Sequence, residues 1–485
     1  MKSIDEFKNS VYEKAADRKR TNRLRRKTIT AAVCCLCVAL AVSFISGIIP
    51  LKSGNIAGTD NSSDYSTDNK SKDESVDVES SNNGENNSTD ETSKTNPLPM
   101  AGITDLMAGI VNTNTEECSL DDELLASTAD FYLNFVKAVA KKGENLIFSP
   151  ASAHFALAMT TNGAANDTLT AMENVLAGGK SITSLNRFMA AYADEISGDH
   201  LKIANSLWIG EGRVSVYEDF LKANAAYYNA GAFYADFDND ETINSINAWI
   251  EQHTDGMIKD MLEEIEDAHI MFLINAITFE AEWNEDSISG VLEDRTFNNY
   301  DGTTSTVTEF MYTGNSKSLT VGDGNGVLMP YKDCNFSFAA ILPGEGTDVY
   351  DFLASINGDA FINAVKSAEN NHSTDIFLPE FETASSLKLK DPLSDLGMGI
   401  AFADSGAADF TKLGTARGQI SIGSVNQDAA ISVTRVGTKA SAATIVAMVD
   451  ECVHDTVYFN RPFVYAIIDN TTGLPVFIGI CADMG

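Results

Sequence analysis

A charge-free run near the N-terminus indicates which part of this chain crosses a membrane and which part can form a globular domain. Residues 28–51 read TITAAVCCLCVALAVSFISGIIPL and contain no charged side chain. A helix of this length spans about 30 Å of hydrocarbon, so the run predicts a transmembrane helix rather than part of a globular core. Residues 1–27 carry ten Lys and Arg against four Asp and Glu. By the positive-inside rule, this short basic segment is expected in the cytoplasm and the rest of the chain outside.

The same run permits a second interpretation, a cleaved signal peptide, which would make the protein secreted. Both the charged region and the apolar run are long for a signal peptide, and this favours a single-pass anchor in the cell membrane. Cys34, Cys35 and Cys37 lie in the run and read as apolar membrane residues. One anchor with an arginine-rich inner flank is compatible with a surface protein of a Gram-positive-type bacterium.

The segment after the anchor cannot build a core. Residues 53–100 contain ten acids, three lysines and a single aromatic residue, so a disordered acidic linker is predicted over 52–100. From about residue 101 the composition is globular, with no second linker and no internal repeat. We therefore expect one large domain over 101–485.

Composition and motifs exclude several functions. The formal net charge of −35 would repel phosphate backbones, so we expect no nucleic-acid partner. The seven cysteines and six histidines show no metal-ligand spacing, and we expect neither a metal nor a cofactor. No catalytic motif such as GxSxG, HExxH or a P-loop is present, so the sequence predicts that the protein is not an enzyme. A membrane-tethered hydrolase has no support in the sequence.

Hydrophobic periodicity predicts helices early in the domain and strands late. Residues 124–142 have helical spacing, and Ser149 followed by Pro150 has the cap and first-turn residues of a second helix, in which His154 reads as a core histidine. A further helix is interrupted near Asp255–Gly256. Buried strands are predicted over 268–283, 327–343 and 374–384. This order indicates an α+β domain built on a large sheet.

Several stretches together resemble the serpin family. NLIFSPASAHFALAMTTNGAANDT from Asn145, LKIANSLWI from Leu201 and INAITFEAEW, which contains Asn275 and Trp283, match its motifs. LMPY, ILP, LPEFE and the closing FNRPFVYAIIDNTTGLPVFIG follow in the family's order, so the match covers about residues 119–485. The resemblance implies helices packed on large mixed and antiparallel sheets, an exposed reactive-centre loop, and a monomeric protease inhibitor that acts as a suicide substrate.

The run GTKASAATIVAM lies where serpins carry the hinge of the reactive-centre loop. In that family the cleaved loop inserts as a new central strand of a sheet, and small side chains ease its passage. The resemblance assigns the following residues to the hinge: Gly437, Thr438, Lys439, Ala440, Ser441, Ala442, Ala443 and Thr444. Family members often carry glutamates at the positions of Arg435 and Lys439, so the basic residues here put the insertion rate in question.

The resemblance also implies a group of residues that controls opening of the sheet. These residues are Ser149, Ser152, Asn275, Trp283 and Gln427. Gln427 stands where the family carries a histidine, and a glutamine side chain can still donate and accept hydrogen bonds.

In serpins the cleaved bond commonly lies fourteen residues beyond the hinge glycine and eight before the phenylalanine that here opens FNRPF. Counting from Gly437 and back from Phe459 both lead to Glu451, so the resemblance implies a reactive bond at Glu451–Cys452, with Asp450 and Cys452 as alternative specificity residues. An acidic residue there suits a glutamyl- or aspartyl-specific endopeptidase, by charge complementarity. The alternative is a non-inhibitory binding module with the serpin fold; such modules usually have a bulky, charged or proline-containing hinge.

The predicted bond can be mapped directly. After incubation with a glutamyl endopeptidase, mass spectrometry of the released C-terminal fragment should show cleavage between Glu451 and Cys452. A cut after Met448 would contradict the assignment.

Overall fold

The computed structural model describes residues 102–108, 110, 118–258, 261–284, 287–371, 374–403, 406–438 and 455–485. The predicted cytoplasmic segment 1–27, the predicted anchor 28–51 and the predicted linker 52–100 lie outside these residues. In the part of the chain that is described, no helix is both long and apolar enough to cross a membrane.

The α-helices are concentrated in the first half of the domain. Their bounds are α1 Asp122–Val139, α2 Pro150–Thr161, α3 Asn166–Ala177, α4 Ile182–Ile196, α5 Glu218–Tyr228, α6 Glu241–His253, α7 Val349–Ser355, α8 Gly358–Lys366 and α9 Lys390–Leu393. The Ser149 side chain accepts a hydrogen bond from the Ser152 backbone N–H and Pro150 opens α2, which confirms the predicted helix start. The helix predicted to be interrupted near Asp255–Gly256 instead ends at His253, because both residues have positive φ.

Strands dominate the second half. Their bounds are β1 Ile103–Asp105, β2 Leu146–Phe148, β3 Leu201–Gly210, β4 Val214–Val216, β5 Gly231–Ala235, β6 Met271–Phe279, β7 Ala281–Glu282, β8 Ile288–Asn298, β9 Thr304–Tyr312, β10 Ser316–Val321, β11 Gly324–Pro330, β12 Phe336–Leu342, β13 Glu369–Asn371, β14 Thr374–Pro379, β15 Phe381–Lys388, β16 Gly414–Ala416, β17 Asn426–Val433, β18 Gly437–Thr438, β19 Asp455–Tyr458, β20 Phe463–Asp469 and β21 Pro475–Cys481.

The strands form five sheets among the described residues. Their orders are β1-β5-β3-β6, β13-β10-β11-β12-β20-β21-β2, β19-β14-β9-β8, β15-β17-β18-β7 and β16-β4. The first and fourth sheets are joined by the chain itself, because β7 of the fourth sheet follows β6 of the first after one residue. The predicted α+β class is confirmed.

All three of the predicted strands are divided in two. The run 268–283 folds as β6 and β7, which are separated by Glu280 and belong to different sheets. The run 327–343 folds as β11 and β12, because its polar centre makes a turn in which Asp333 takes a φ of 55°. The run 374–384 is divided at Glu380 into β14 and β15, which belong to different sheets. Apolar runs do not reveal such breaks, because both halves are buried.

His154 lies in the core between α2 and α1, as predicted. Its ring is fully buried, with its centroid 5.1 Å from that of Phe131 and 5.6 Å from that of Tyr132. Burial lowers the pKa of His154 from 6.5 to about 3, because the charged ring would lose its hydration. The folded protein therefore keeps this ring neutral at pH values where the unfolded chain protonates it.

We expect His154 to make the protein less stable in mild acid. Its pKa is lower folded than unfolded, so its contribution to the free energy of unfolding falls by about 2 kcal/mol between pH 7 and pH 5. His154→Phe should reduce the change in the free energy of unfolding between pH 7 and pH 5, measured by urea denaturation, by that amount. Phe155→Leu, which perturbs the same helix and keeps the histidine, should lower the midpoint equally at both pH values; a parallel result for the two variants would refute the assignment.

Candidate functional site

The hinge begins as a two-residue strand inside the sheet. Thr434 and Gly437 exchange backbone hydrogen bonds of 3.0 and 3.2 Å and close a tight turn after β17. The chain then returns as β18, in which Thr438 pairs with Val433 of β17 on one side and with Ala281 of β7 on the other. The first two of the predicted hinge residues thus already lie between two strands.

Gly437 is required here by a close backbone approach. A Cβ atom at this position would lie 2.2 Å from the carbonyl oxygen of Ala281 and 2.6 Å from the Cα of Glu282. Backbone atoms of a paired strand cannot move aside without breaking the ladder. The first residue of the predicted hinge therefore also has a packing role that any side chain would disrupt.

Trp283 and Tyr331 hold the turn and β18. The Trp283 backbone N–H donates to the carbonyl of Val436 at 2.9 Å, and its indole N–H donates to the carbonyl of Thr434 at 2.8 Å. Its ring stacks on that of Tyr331, with centroids 4.5 Å apart. The Tyr331 hydroxyl shares a hydrogen bond with the hydroxyl of Thr438, which is buried.

The chemistry of Tyr331 suits this role. Burial raises the pKa of Tyr331 far above its usual value, so the hydroxyl remains protonated and available for the hydrogen bond to Thr438. Sequence reasoning missed Tyr331, although it is the last residue of the LMPY motif. Trp283 was grouped with the sheet-opening residues, and the structure shows its hydrogen bonds at the turn before the hinge instead.

The other four predicted sheet-opening residues form two linked pairs around the start of α2. The Ser149 backbone N–H donates to Oε1 of Gln427, and the Gln427 amide donates back to the Ser149 carbonyl, both at 2.9 Å. Ser152 Oγ donates to the Asn275 carbonyl at 3.4 Å, and Asn275 Nδ2 donates to Asn205 Oδ1 at 2.6 Å. The start of α2 thus connects to β17 on one side and β6 on the other.

No ladder joins β6 to β17 among the described residues, although the two strands flank the line on which β18 enters. Beyond the end of β18, the start of α2 connects β17 to β6 through its hydrogen bonds to Gln427 and Asn275. Residues 439–454, which include Lys439–Thr444 and the predicted bond Glu451–Cys452, lie outside the described residues. The described chain resumes at β19.

An acidic residue faces the basic turn. The Arg435 backbone N–H donates to Oε1 of Glu380 at 3.1 Å, and the Arg435 side chain is half-buried rather than fully solvated. Glu380 lies between β14 and β15, so its carboxylate connects the turn at Thr434–Gly437 to the point where the chain passes from one sheet to the other. The basic residue at 435 is therefore accompanied by a nearby carboxylate.

Within the described ranges, no group of three His, Cys, Asp or Glu side chains could hold a metal ion. The site consists of strands, a turn and hydrogen bonds, one of which is accepted by the Glu380 carboxylate.

This fold and this site define a class of α+β proteins in which a short strand, β18, follows a tight turn and pairs with strands on both of its sides. Comparison with known proteins identifies the family. The profile of the family described as Serpin (serine protease inhibitor) matches residues 126–484. The chain belongs to the serpin family, whose members are generally protease inhibitors rather than enzymes.

Individual relatives support the same conclusion. An uncharacterized serpin-like protein of Thermococcus kodakarensis is 28% identical over 368 residues, covering 72% of this chain and 83% of that protein. An alpha-1-antitrypsin homolog of Cyprinus carpio is 31% identical over 267 residues, covering 54% of this chain and 70% of that protein. The crystal structure of the thermophilic serpin tengpin in its native state is similar with a TM-score of 0.72 at 35% identity, covering 79% of this chain and 99% of tengpin.

We expect Glu380 to restrain the turn. Glu380→Ala removes the acceptor for the Arg435 N–H and should lower the free energy of unfolding by about 1–3 kcal/mol, the range for hydrogen bonds to charged groups. Glu380→Gln keeps an acceptor and should lose less. Urea denaturation followed by intrinsic fluorescence measures both; equal losses would contradict a role for the carboxylate charge, and no loss in either would contradict the restraint.

Proposed function

We propose that this protein is a protease inhibitor that acts as a one-use substrate. The target endopeptidase attacks the exposed loop, its nucleophile forms an acyl bond to the carbonyl carbon of Glu451, and the peptide bond to Cys452 breaks with release of a protonated amine. The freed loop then enters the sheet between β6 and β17, and the protease remains attached. The observation that carries this proposal is β18, which has the position and direction of the first two residues of an inserted strand.

If the strand continued beyond Thr438, the register of β18 would reach the sheet-opening residues. Thr438 pairs with Val433 and Ala281, and antiparallel continuation advances one residue on each strand. In that register Thr444 would come between Gln427 and Asn275. An inserting strand would therefore have to separate the two sides at the place where α2 fastens them.

The same register assigns the direction of each hinge side chain. On β17, Gln427, Ile431 and Val433 are buried, whereas Asp428 and Ala430 are exposed. Directly paired residues share a face of a sheet. The inserted strand would therefore direct Thr438, Ala440, Ala442 and Thr444 inward and Lys439, Ser441 and Ala443 outward. Small side chains occupy the inward positions after Thr438, and the basic Lys439 would face solvent.

Charge supports the target class. A protease with a basic primary pocket would accept the predicted Glu451, so we propose glutamyl- or aspartyl-specific endopeptidases as targets. We further propose that the domain is displayed outside the cell, held by the anchor at 28–51 and extended by the acidic linker at 52–100. These proposals rest on the sequence.

The mechanism predicts that the same substitution has different effects on insertion at two neighbouring hinge positions. Ala442→Arg places a guanidinium inward, where an unpaired buried charge costs about 3–5 kcal/mol, so insertion should slow by more than about tenfold. Ser441→Arg places the same group outward and should leave insertion intact. Denaturing gels after mixing with a glutamyl endopeptidase should show a covalent adduct for wild type and Ser441→Arg, and clean cleavage for Ala442→Arg.

Melting curves give an independent reading of insertion. Cleaved wild type and cleaved Ser441→Arg should melt at higher temperature than their intact forms, and cleaved Ala442→Arg should not. If cleavage leaves the wild-type melting temperature unchanged, the loop does not insert and the inhibitor proposal is wrong.

A further inference from the structure

Tyr458 is an exposed aromatic side chain on the strand that follows the loop. Among the described residues, two large apolar side chains are exposed, Tyr217 at 46% and Tyr458 at 37%. Tyr458 is the last residue of β19, an edge strand that begins at Asp455, immediately after residues 439–454. An exposed aromatic ring at such a place calls for an explanation, because large aromatic side chains usually contribute to a core or an interface.

The Tyr458 ring is held in place by its neighbours. It stacks on Phe377, its register partner on β14, with centroids 4.8 Å apart and planes 20° from parallel. The Arg295 guanidinium lies 4.7 Å from the Tyr458 ring centroid and 4.8 Å from that of Phe377. A ring fixed in this way loses little rotational freedom when a partner binds it.

Arg295 is itself anchored beneath this surface. It extends from β8 across β9, and its Nε lies 3.3 Å from Oε2 of Glu309, a side chain with 0% exposure. Burying a carboxylate costs desolvation free energy, which an apolar side chain at this position would avoid. The pair fixes a guanidinium beside two rings. We define this group, Tyr458, Phe377, Arg295 and Glu309, as the aromatic patch.

The aromatic patch lies within reach of a protease on the loop. Tyr458 is the sixth residue after Cys452, and an extended chain of six residues spans at most about 22 Å. A typical protein contact covers about 800 Å² on each partner, a patch roughly 30 Å across. The distance from the predicted bond to the Tyr458 ring is thus no greater than the width of such a patch, so a protease seated on the bond could contact the ring.

We propose that Tyr458 is a docking contact for the target protease outside the protease's active-site cleft, and that the rest of the aromatic patch positions its ring. The inference rests on the proposed function, because the occupant is the protease that attacks the loop. The matching protease surface is apolar, since the exposed group is an aromatic ring. Tyr458 thereby contributes to the choice of target independently of the residue at the reactive bond.

Such a contact acts before the covalent step. A protease that dissociates before its nucleophile attacks the loop escapes, so a longer-lived encounter complex raises the second-order rate constant of trapping. The number of inhibitor molecules consumed per protease depends on loop insertion after attack. A docking contact should therefore change the rate constant and leave that stoichiometry unchanged.

The test compares Tyr458→Ala with Tyr217→Ala, which removes the other exposed tyrosine, on the α5 side of the fold. With a glutamyl endopeptidase, Tyr458→Ala should lower the rate constant of trapping roughly tenfold at unchanged stoichiometry, as expected for loss of an aromatic contact. Tyr217→Ala should match wild type. Arg295→Lys, which keeps the charge and loses the planar group, should lower the rate constant less than Tyr458→Ala does.

Binding to an inactivated glutamyl endopeptidase, in which the catalytic serine is replaced by alanine, separates the two proposals. The dissociation constant should rise roughly tenfold for Tyr458→Ala even if the active enzyme only cleaves the loop, in which case the trap fails and the docking contact stands. Unchanged dissociation constants for Tyr458→Ala would overturn the docking contact. A raised stoichiometry at an unchanged rate constant would also overturn it, because Tyr458 would then serve only to hold β19.

Discussion

The pairing of β18 with its two neighbours is the constraint on which the rest of the arrangement depends. Gly437 and Thr438 occupy positions that belong to the middle of a sheet, and the fit is close enough that a Cβ at 437 would meet the carbonyl oxygen of Ala281. Trp283 and Tyr331 hold the turn and the buried Thr438 by hydrogen bonds. These two residues thus already lie between the strands that would flank the loop in the proposed insertion.

A second set of hydrogen bonds would oppose the proposed insertion. Through Gln427 and Asn275, α2 is bonded to both flanks of the line along which the strand would continue. Burial makes these hydrogen bonds costly to leave unmade, so the flanks separate only when new backbone bonds form in their place. Such an arrangement is expected of a native state that is kinetically trapped.

Sequence reasoning predicted the family, the fold class and the helix start at Ser149 and Pro150, because motif order and capping chemistry are local features. It brought Ser149 together with Gln427, although 278 residues separate them, only through the family resemblance. Tyr331 was missed because its contact with Thr438 spans 107 residues and no periodicity reports it. The division of 327–343 was missed for a different reason: the apolar residues on both sides of its polar centre read as one strand, and the turn at Asp333 was not inferred from that centre.

The first described strand has a consequence for contacts between molecules. Ile103, Thr104 and Asp105 pair with Ala235, Tyr234 and Phe233 and occupy the outer side of β5. An uncovered strand at that rim would offer its amides and carbonyls to any neighbouring chain, and such rims are where proteins aggregate. With β1 in place, the amides and carbonyls of β5 are paired along these three residues, and the edge left on that side is the three-residue strand β1, which offers another chain only a short length to pair with.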